Sequence, residues 1–128
     1  MTKKQKVLII DDDPTLQDMY SERLKKAGFV VSSATNGDLG ITKALEEHPD
    51  AILLDLMMPV KGGLGVLDVL RTMPETKTIP IIILTAYPSD EYHEKSNRAG
   101  ADLFLSKSEI MPGEVVAKVE ALLASKAS

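Results

Sequence analysis

The sequence has no cysteine and no tryptophan among its 128 residues. The lack of cysteine excludes disulfide bonds, thiolate metal sites and cysteine nucleophiles. No apolar run comes close to the roughly 20 residues that a membrane-spanning helix requires. The basic start at residues 1–6 leads into only four strongly apolar residues, which is too short a run for a signal peptide. We therefore expect a cytoplasmic protein without a membrane partner.

A basic face is also missing. Lys and Arg number 15 against 19 Asp and Glu, and the net charge is −4. Nucleic-acid binding relies on clustered Lys and Arg to neutralise phosphates, so we expect no direct contact with nucleic acid. The hydrophobic fraction of 44% and the charged fraction of 27% are ordinary for a soluble globular protein. The length predicts a single domain over residues 1–128.

The sequence does contain a regular alternation of strand and helix patterns. Strands are predicted at about residues 6–11, 29–34, 51–55, 79–85 and 103–106. Helices are predicted at about residues 14–27, 64–71, 89–99 and 113–124, and a further helix follows the turn at Asn36-Gly37 and ends at about residue 47. Strict alternation of this kind is typical of an α/β fold, in which helices cover both faces of a parallel sheet.

The first helix has clear signals at both ends. Asp13 is a good N-cap, Pro14 suits the first helical position, and Gly28 supplies the C-terminal stop. Its apolar residues are predicted to share one buried face: Leu16, Met19, Tyr20, Leu24 and Ala27. The strand that follows is short and more polar, which predicts an edge position in the sheet.

Acidic residues follow two of the apolar runs directly. Val7–Ile10 is followed by Asp11, Asp12 and Asp13, and residues 51–54 are followed by Asp55. Fully apolar runs are typical of strands buried on both faces, whose carboxyl ends form the ligand-binding edge of an open α/β sheet. If the two strands are neighbours, at least three carboxylates converge and repel one another unless a cation binds them. The pattern therefore indicates a site for a hard divalent cation.

Several separated motifs together resemble the receiver domain of bacterial two-component response regulators, of the chemotaxis-type single-domain kind. They are Asp11-Asp12, the loop Asp55-Leu56-Met57-Met58-Pro59 with Gly63, the pair Thr85-Ala86, and Lys107. Each motif lies at the end of its own predicted strand, and the resemblance covers essentially the whole chain. It implies a flavodoxin-like fold: a doubly wound, five-stranded parallel sheet of order 2-1-3-4-5 with five helices.

The resemblance implies that Asp55 accepts a phosphoryl group from the phosphohistidine of a histidine kinase or phosphotransfer protein. It also implies that Mg²⁺ binds directly to Asp12, Asp55 and the backbone carbonyl of Met57, with Asp11 acting mostly through a metal-bound water. Asp13 is better explained as the helix cap. Taken alone, Asp55 could equally be a strand-ending residue that caps a turn.

By the same resemblance, Thr85 bonds a phosphoryl oxygen and Lys107 supplies a positive charge opposite the metal. Phe104 occupies the switch-aromatic position that couples to Thr85 and reshapes the surface of the last two helices and strand five. The simpler alternatives are a strand residue for Thr85, a solvated amine for Lys107 and core packing for Phe104. The implied protein is not an enzyme beyond its own phosphorylation and dephosphorylation; it binds a downstream protein target as a monomer or a weak, phosphorylation-dependent dimer.

The sequence departs from the family pattern at two places. Ser108 replaces the usual proline after Lys107, so the bond is expected to be trans and the hold on Lys107 looser. Gly62 replaces an acid and should add mobility. Met57 and Tyr87 flank the expected site, and we hypothesise that they hinder the attacking water and slow self-dephosphorylation. Two further residues are expected to be simply solvated: His48 and His93.

Three rival interpretations remain. Asp11, Asp13 and Thr15 match the D-x-D-x-T signature of haloacid-dehalogenase-type phosphatases, but the late strands end in Thr85 and Lys107 rather than in a second acidic motif. A flavin-binding module shares the expected fold, yet three Asp at strand ends would repel its phosphate. A degenerate receiver that binds partners without phosphorylation is disfavoured by the complete set of site residues, and only Ser108 speaks for it.

Overall fold

Five short apolar runs form the strands of one parallel sheet in the computed structural model, which describes residues 4–58 and 62–126. The strands are β1 Lys6–Ile10, β2 Val30–Ala34, β3 Ala51–Asp55, β4 Ile81–Thr85 and β5 Leu103–Ser106. The helices are α1 Pro14–Lys26, α2 Gly37–Glu47, α3 Gly63–Thr72, α4 Asp90–Arg98 and α5 Pro112–Lys126. The predicted alternation of strands and helices is therefore confirmed. The part of the predicted loop at 59–61 lies outside the described residues.

The strand order is β2-β1-β3-β4-β5, which confirms the predicted doubly wound arrangement. All four strand pairs are parallel, and β1 lies next to β3 with Ile10 opposite Leu54. Because the order reverses at this pair, the chain turns outward in opposite directions after β1 and after β3. A crevice therefore opens at their carboxyl ends, as it does in open α/β sheets generally.

The central strands are apolar throughout because both faces of the sheet are covered. Leu8 and Ile10 of β1 pack on the face that also receives Val66 and Leu70 of α3. The alternate residues of the same strand pack on the opposite face with residues of α1 and α5: Val7, Ile9, Leu24, Val115 and Val119. The period-2 alternation of side chains thus divides one apolar run between two cores. Strand β2 has only one fully buried residue, Ala34, as expected at an edge.

Helix ends follow the sequence signals. The Asp13 side chain accepts hydrogen bonds from the backbone N–H groups of Thr15 (2.9 Å) and Leu16 (3.3 Å) at the start of α1. Gly28 follows the same helix with a φ of +99°, in the left-handed region that only glycine adopts without strain. Asp13 is therefore a helix cap, as predicted.

One predicted helix face is partly wrong. Met19 and Ala27 of the first helical segment are exposed, whereas Gln17 is buried with Tyr20 and Leu24. A helix stripe at positions 17, 20 and 24 has the spacing of one face. Gln17 can be buried there because its amide finds backbone carbonyls to bond, which the apolar pattern could not show.

The predicted bounds of the strands were too wide at three ends. Strand β1 ends at Ile10 rather than at Asp11, β2 begins at Val30 rather than Phe29, and β4 begins at Ile81 rather than at residue 79. The late start of β4 follows from Pro80, which has no N–H to donate to the ladder, although its carbonyl accepts from the N–H of Ile52. Within the described residues, no helix is both long and apolar enough to cross a bilayer.

Candidate functional site

Three carboxylates meet at the crevice between β1 and β3. Each of Asp11, Asp12 and Asp55 offers one carboxylate oxygen, and these oxygens all lie within 4.8 Å of one another. Asp11 and Asp55 are 3% and 5% exposed, whereas Asp12 is exposed. The predicted convergence of acids from two separate segments is therefore present. The exposed position of Asp12 leaves the cluster open to solvent and to a ligand.

Lys107 reaches the same cluster from the end of β5. Its Nζ lies 2.8 Å from Asp11 Oδ2 and 3.5 Å from Asp55 Oδ1. Its side chain is only 11% exposed, so the simpler alternative of a solvated surface amine is wrong. Burial lowers the pKa of Lys107, but the hydrogen bond that it donates to Asp11 and the electrostatic interactions with Asp11, Asp55 and Tyr20 outweigh it, and the net pKa is raised. The ammonium is therefore held in its charged form.

One ammonium does not compensate the three acids. Burial and the nearby charge of Asp11 raise the pKa of Asp55, while Lys107 and a hydrogen bond from the Met57 N–H act in the opposite direction. The raised pKa means that the ionised form of Asp55 is disfavoured in the folded protein. All donors are hard carboxylate oxygens, which is the ligand type that suits a small divalent cation.

The loop after β3 bends tightly over Asp55. The backbone N–H of Met57 donates to Asp55 Oδ1 at 3.2 Å, and the N–H of Gly63 donates to the Leu56 carbonyl at 2.9 Å. A Cβ at Gly63 would lie 2.6 Å from the Leu56 Cα and still closer to the Asp55 carbonyl. Only glycine fits at this approach, which explains the residue type at position 63. The residues between Met58 and Gly62 lie outside the described part of the chain.

Thr85 ends β4 next to the cluster and is fully buried. Its Oγ1 accepts a hydrogen bond from the backbone N–H of Tyr87 at 3.0 Å, and its carbonyl accepts from the backbone N–H of Lys107 at 2.8 Å. Thr85 thus anchors the loops that follow β4 and β5. The side chains of Tyr87 and Met57 are 65% and 42% exposed.

Phe104 has a partner that the sequence did not indicate. Its ring stacks on that of His93 with centroids 4.8 Å apart and an interplanar angle of 6°. His93 belongs to α4 and Phe104 to β5, so the stack joins two elements. The prediction that His93 is simply solvated was therefore wrong, although its residue is exposed. The spacing of residues in the sequence does not indicate this stack, because the two residues belong to different elements.

Ser108 does not displace Lys107. The described residues contain no cis peptide bond, which agrees with the expected trans geometry. The hydroxyl of Ser108 lies 2.9 Å from that of Ser106 in a hydrogen bond. Lys107 contacts both Asp11 and Asp55, and the looser hold expected from Ser108 stays a prediction.

Two residues of α1 lie beneath the cluster and were missed as site neighbours. Gln17 donates to the Asp11 carbonyl at 2.6 Å. Burial raises the pKa of the Tyr20 phenol, with Lys107 lowering it and Asp11 raising it further. Their spacing of three residues on one helix face was available in the sequence, but a buried glutamine cannot be told from a solvated one by spacing alone.

Residues 7–120 match the family model described as the response regulator receiver domain. The chain belongs to the response regulator receiver family. Receiver domains are phosphoacceptor signalling modules of two-component systems rather than classical enzymes, and an acidic cluster such as that of Asp11, Asp12 and Asp55 is typical of their magnesium site. The simpler interpretation of Asp55 as an isolated turn cap no longer accounts for its surroundings.

This receiver is similar to the transcriptional regulatory protein ResD of Bacillus subtilis, with 38% identity over 122 residues that span 95% of this chain and 49% of ResD. The chain thus spans about half the length of the curated relatives it matches. Among solved structures it resembles a CheY-like receiver domain protein of Methanospirillum hungatei (TM-score 0.91, 26% identity, 98% of each chain). It also resembles the chemotaxis protein CheY4 of Vibrio cholerae (TM-score 0.87, 29% identity, 93% of this chain and 98% of that one).

Family membership removes the rival phosphatase interpretation. In that interpretation Asp13 is a general acid, but its carboxylate caps α1 through Thr15 and Leu16. The late strands β4 and β5 end at Thr85 and next to Lys107, as in the predicted receiver motifs. The flavodoxin-like fold is confirmed, and it serves a receiver rather than a flavin-binding module.

Proposed function

We propose that Asp55 is the phosphoacceptor of this receiver. The observation that carries the proposal is the position of its carboxylate, which is buried beside Lys107 and shares one cluster with Asp11 and Asp12. A bond would form between an Asp55 carboxylate oxygen and phosphorus, while the bond from phosphorus to the donor's histidine nitrogen breaks. The resulting acyl phosphate is labile, which suits a reversible signal.

The carboxylates of Asp11, Asp12 and Asp55 fit Mg²⁺ as hard oxygen ligands. Asp12, Asp55 and the Met57 carbonyl would hold the ion directly, and Asp11 would act mostly through a metal-bound water. When bound, the ion would offset the negative charge that develops on the transferred phosphoryl group. Lys107, whose Nζ lies 3.5 Å from Asp55 Oδ1, would supply a second positive charge. Its ion pair with Asp11 keeps the ammonium in place before a phosphoryl group arrives.

The proposed output begins at Thr85. Its Oγ1 accepts a hydrogen bond from Tyr87, and we expect the hydroxyl to donate its proton to a phosphoryl oxygen on Asp55. Movement of Thr85 would be followed by Phe104, which must then leave its stack on His93. The surface formed by α4, β5 and α5 would change shape, as two-state switching elements do.

The partners in this proposal are a histidine kinase or phosphotransfer protein as donor and a downstream protein as target. We propose no direct contact of these 128 residues with nucleic acid, and a monomer or a weak dimer that depends on phosphorylation. A cytoplasmic location remains a prediction that accompanies these partners. The names of relatives such as ResD describe transcriptional regulation, which the present chain would serve only through a longer protein or a separate target.

Intact-mass measurement after incubation with acetyl phosphate and Mg²⁺ tests the phosphoacceptor directly. The wild type should gain the mass of one phosphoryl group, and Asp55→Asn should gain none. Asp13→Asn is the matched control, because asparagine caps a helix as well as aspartate does and should leave labelling intact. Labelling of Asp55→Asn at the wild-type level would refute the proposal.

Tyr87 and Met57 support a finer proposal, that their large exposed side chains hinder the water that removes the phosphoryl group. Tyr87→Ser should then shorten the lifetime of the phosphorylated form, measured as the decay of the added mass after the donor is removed. Thr72→Ser, at the far end of α3, is the control. An unchanged lifetime in Tyr87→Ser would eliminate this idea and leave the phosphoacceptor untouched.

A further inference from the structure

We propose that Gln17 is a positioning residue, whose side-chain amide fixes the Asp11–Asp12 peptide and thereby directs both acids toward Asp55. The inference rests on the proposed magnesium-dependent function, since it concerns the same cluster. Gln17 lies outside the acidic cluster, but the geometry of the cluster depends on it. Gln17 touches none of the reacting atoms and acts through the backbone.

Gln17 is buried in a place where an amide must be bonded. It lies in the first turns of α1, is 5% exposed, and shares its face with Tyr20 and Leu24. Burying an amide costs free energy unless its N–H groups find acceptors. An apolar residue would fill this face equally well, so packing alone does not explain a glutamine here.

Both N–H groups of the Gln17 amide are used. Nε2 lies 2.6 Å from the carbonyl oxygen of Asp11 and 2.6 Å from that of Ala34. The Ala34 carbonyl also accepts from the Asp11 backbone N–H at 3.0 Å. One side chain thus closes a ring of hydrogen bonds across the carboxyl ends of β1 and β2. This is the point at which the regular ladder ends, after the pairing of Ile10 with Ala34.

The bond to Asp11 has a direct geometric consequence for Asp12. The carbonyl of Asp11 belongs to the peptide group that joins Asp11 to Asp12, and this group is planar and rigid. Holding its oxygen therefore fixes the direction in which the Asp12 Cα leaves the strand. Asp12 is exposed, so its orientation depends mainly on the backbone rather than on burial among other side chains.

The Asp11 side chain is held from the other direction. Its Oδ1 accepts from the Asp13 N–H at 2.9 Å, and its Oδ2 accepts from Lys107 Nζ at 2.8 Å. With Gln17 on the carbonyl, Asp11 is bonded through both its backbone and its carboxylate. The spacing within 4.8 Å of the three acids can then be maintained despite their mutual repulsion.

The test compares two ways of losing a buried side-chain-to-backbone hydrogen bond. Gln17→Met keeps the length of the side chain and removes both N–H groups. Thr76→Val is the control, because Thr76 is fully buried and its Oγ1 donates to the Leu70 carbonyl at 2.6 Å, at the other end of the sheet. The stability of each variant is measured by urea denaturation, and the Mg²⁺ dissociation constant by titration followed through backbone amide NMR signals.

Both variants should lose stability, but only Gln17→Met should weaken Mg²⁺ binding, by at least about fivefold. In the metal-free protein, Gln17→Met should also shift the backbone and carboxylate-carbon signals of Asp12, which Thr76→Val should leave in place. A purely structural Gln17 would lower stability without either change, and that result would overturn the inference. If Gln17→Met does not fold, Gln17→Asn, whose amide is too short to reach both carbonyls, is measured in the same way.

Failure of the magnesium site and failure of the positioning role give different results. Wild-type protein that binds no Mg²⁺ would contradict the proposed metal site. The metal-free Asp12 signals would still decide the positioning role, because they require no ion. Wild-type protein that binds Mg²⁺ together with Gln17→Met that binds it equally well would contradict the positioning role alone.

Discussion

Partly buried charged groups lie at both ends of the sheet, but the ratio of positive to negative groups differs between the two ends. At the amino ends of the strands, the Arg71 guanidinium pairs with Asp102 at 3.0 Å and donates to the carbonyls of Gly100 (2.9 Å) and Ile79 (2.7 Å). At the carboxyl ends, the Lys107 ammonium pairs with Asp11 and Asp55, and Asp12 completes a cluster of three carboxylates. In the first cluster Asp102 also pairs with Lys126 at 3.3 Å, so its carboxylate has two positive partners. The second cluster leaves an excess of negative charge.

This contrast distinguishes a cluster that stabilises the fold from the candidate functional site. Asp102 also accepts the N–H of Ile81 at 2.8 Å, so the amino-end cluster tethers α3, β4 and β5 with its polar groups bonded. In the described residues, the carboxyl-end cluster has more carboxylates than the Lys107 ammonium can compensate. Burial and the charge of Asp11 raise the pKa of Asp55. An imbalance of this kind is what a cation or a phosphoryl acceptor site requires.

The largest expected effect is at the amino end. Arg71→Met leaves Asp102 without its closest counter-charge and removes the donors to three carbonyls. We expect the free energy of unfolding to fall by about 2–4 kcal/mol, as measured by urea denaturation. The folded variant should still be labelled by acetyl phosphate, because the site at the opposite end is unchanged.

Arg98→Met is the control for that loss, since Arg98 pairs with Glu94 on an exposed face and exposed pairs contribute little. If Arg71→Met loses as little free energy of unfolding as Arg98→Met, the structural role of Arg71 is contradicted. Loss of labelling in folded Arg71→Met would contradict the separation of the two clusters.

The next effect concerns the pH dependence of stability. The pKa of Asp55 is higher in the folded protein than in the unfolded chain. The contribution of Asp55 to the free energy of unfolding is therefore fully present below the unfolded carboxyl pKa of about 4, and it is lost as the pH rises through the pKa of the folded protein. Asp55→Asn has no such dependence. In metal-free buffer, the unfolding free energy of Asp55→Asn relative to wild type should therefore increase between acidic and neutral pH.

Urea denaturation of both proteins across this pH range measures the difference. Thr76→Val, which removes no titrating group, should differ from wild type by the same amount at every pH. If the unfolding free energy of Asp55→Asn also differs from that of wild type by the same amount at every pH, ionisation of Asp55 has no electrostatic cost in the folded protein.

The smallest effect concerns the stack beside the site. Aromatic pairs contribute about 0.5–1.5 kcal/mol, and the His93–Phe104 stack should stabilise only the state in which Phe104 lies against α4. His93→Ala should therefore destabilise the unphosphorylated protein more than the phosphorylated one, as measured by thermal unfolding of each. Asn97→Ala, on the exposed side of the same helix, should affect both states equally. Equal effects of His93→Ala on both states would remove the stack from the switch.

The sequence was sufficient for features that depend on local order. The apolar runs ending at Asp55 and before Asp11 predicted the strands and the acidic cluster, and Asp13 predicted the cap of α1. Features that depend on partners distant in the chain were not accessible. The burial of Gln17 depends on carbonyls from two strands, and the stack of His93 depends on a ring in β5. The spacing of residues cannot provide such pairings.

The central claim is that the excess of carboxylates at the carboxyl ends of β1 and β3 binds a magnesium ion. Titration of metal-free protein with Mg²⁺, followed by the carboxylate-carbon NMR signals, tests it most directly. The signals of Asp12 and Asp55 should shift together, and an ion concentration of about 100 times the dissociation constant should raise the unfolding free energy by about 2.7 kcal/mol. Arg71→Met should retain this increase and Asp12→Asn should lose it. If neither carboxylate signal moves and the wild-type stability does not change, the claim is wrong.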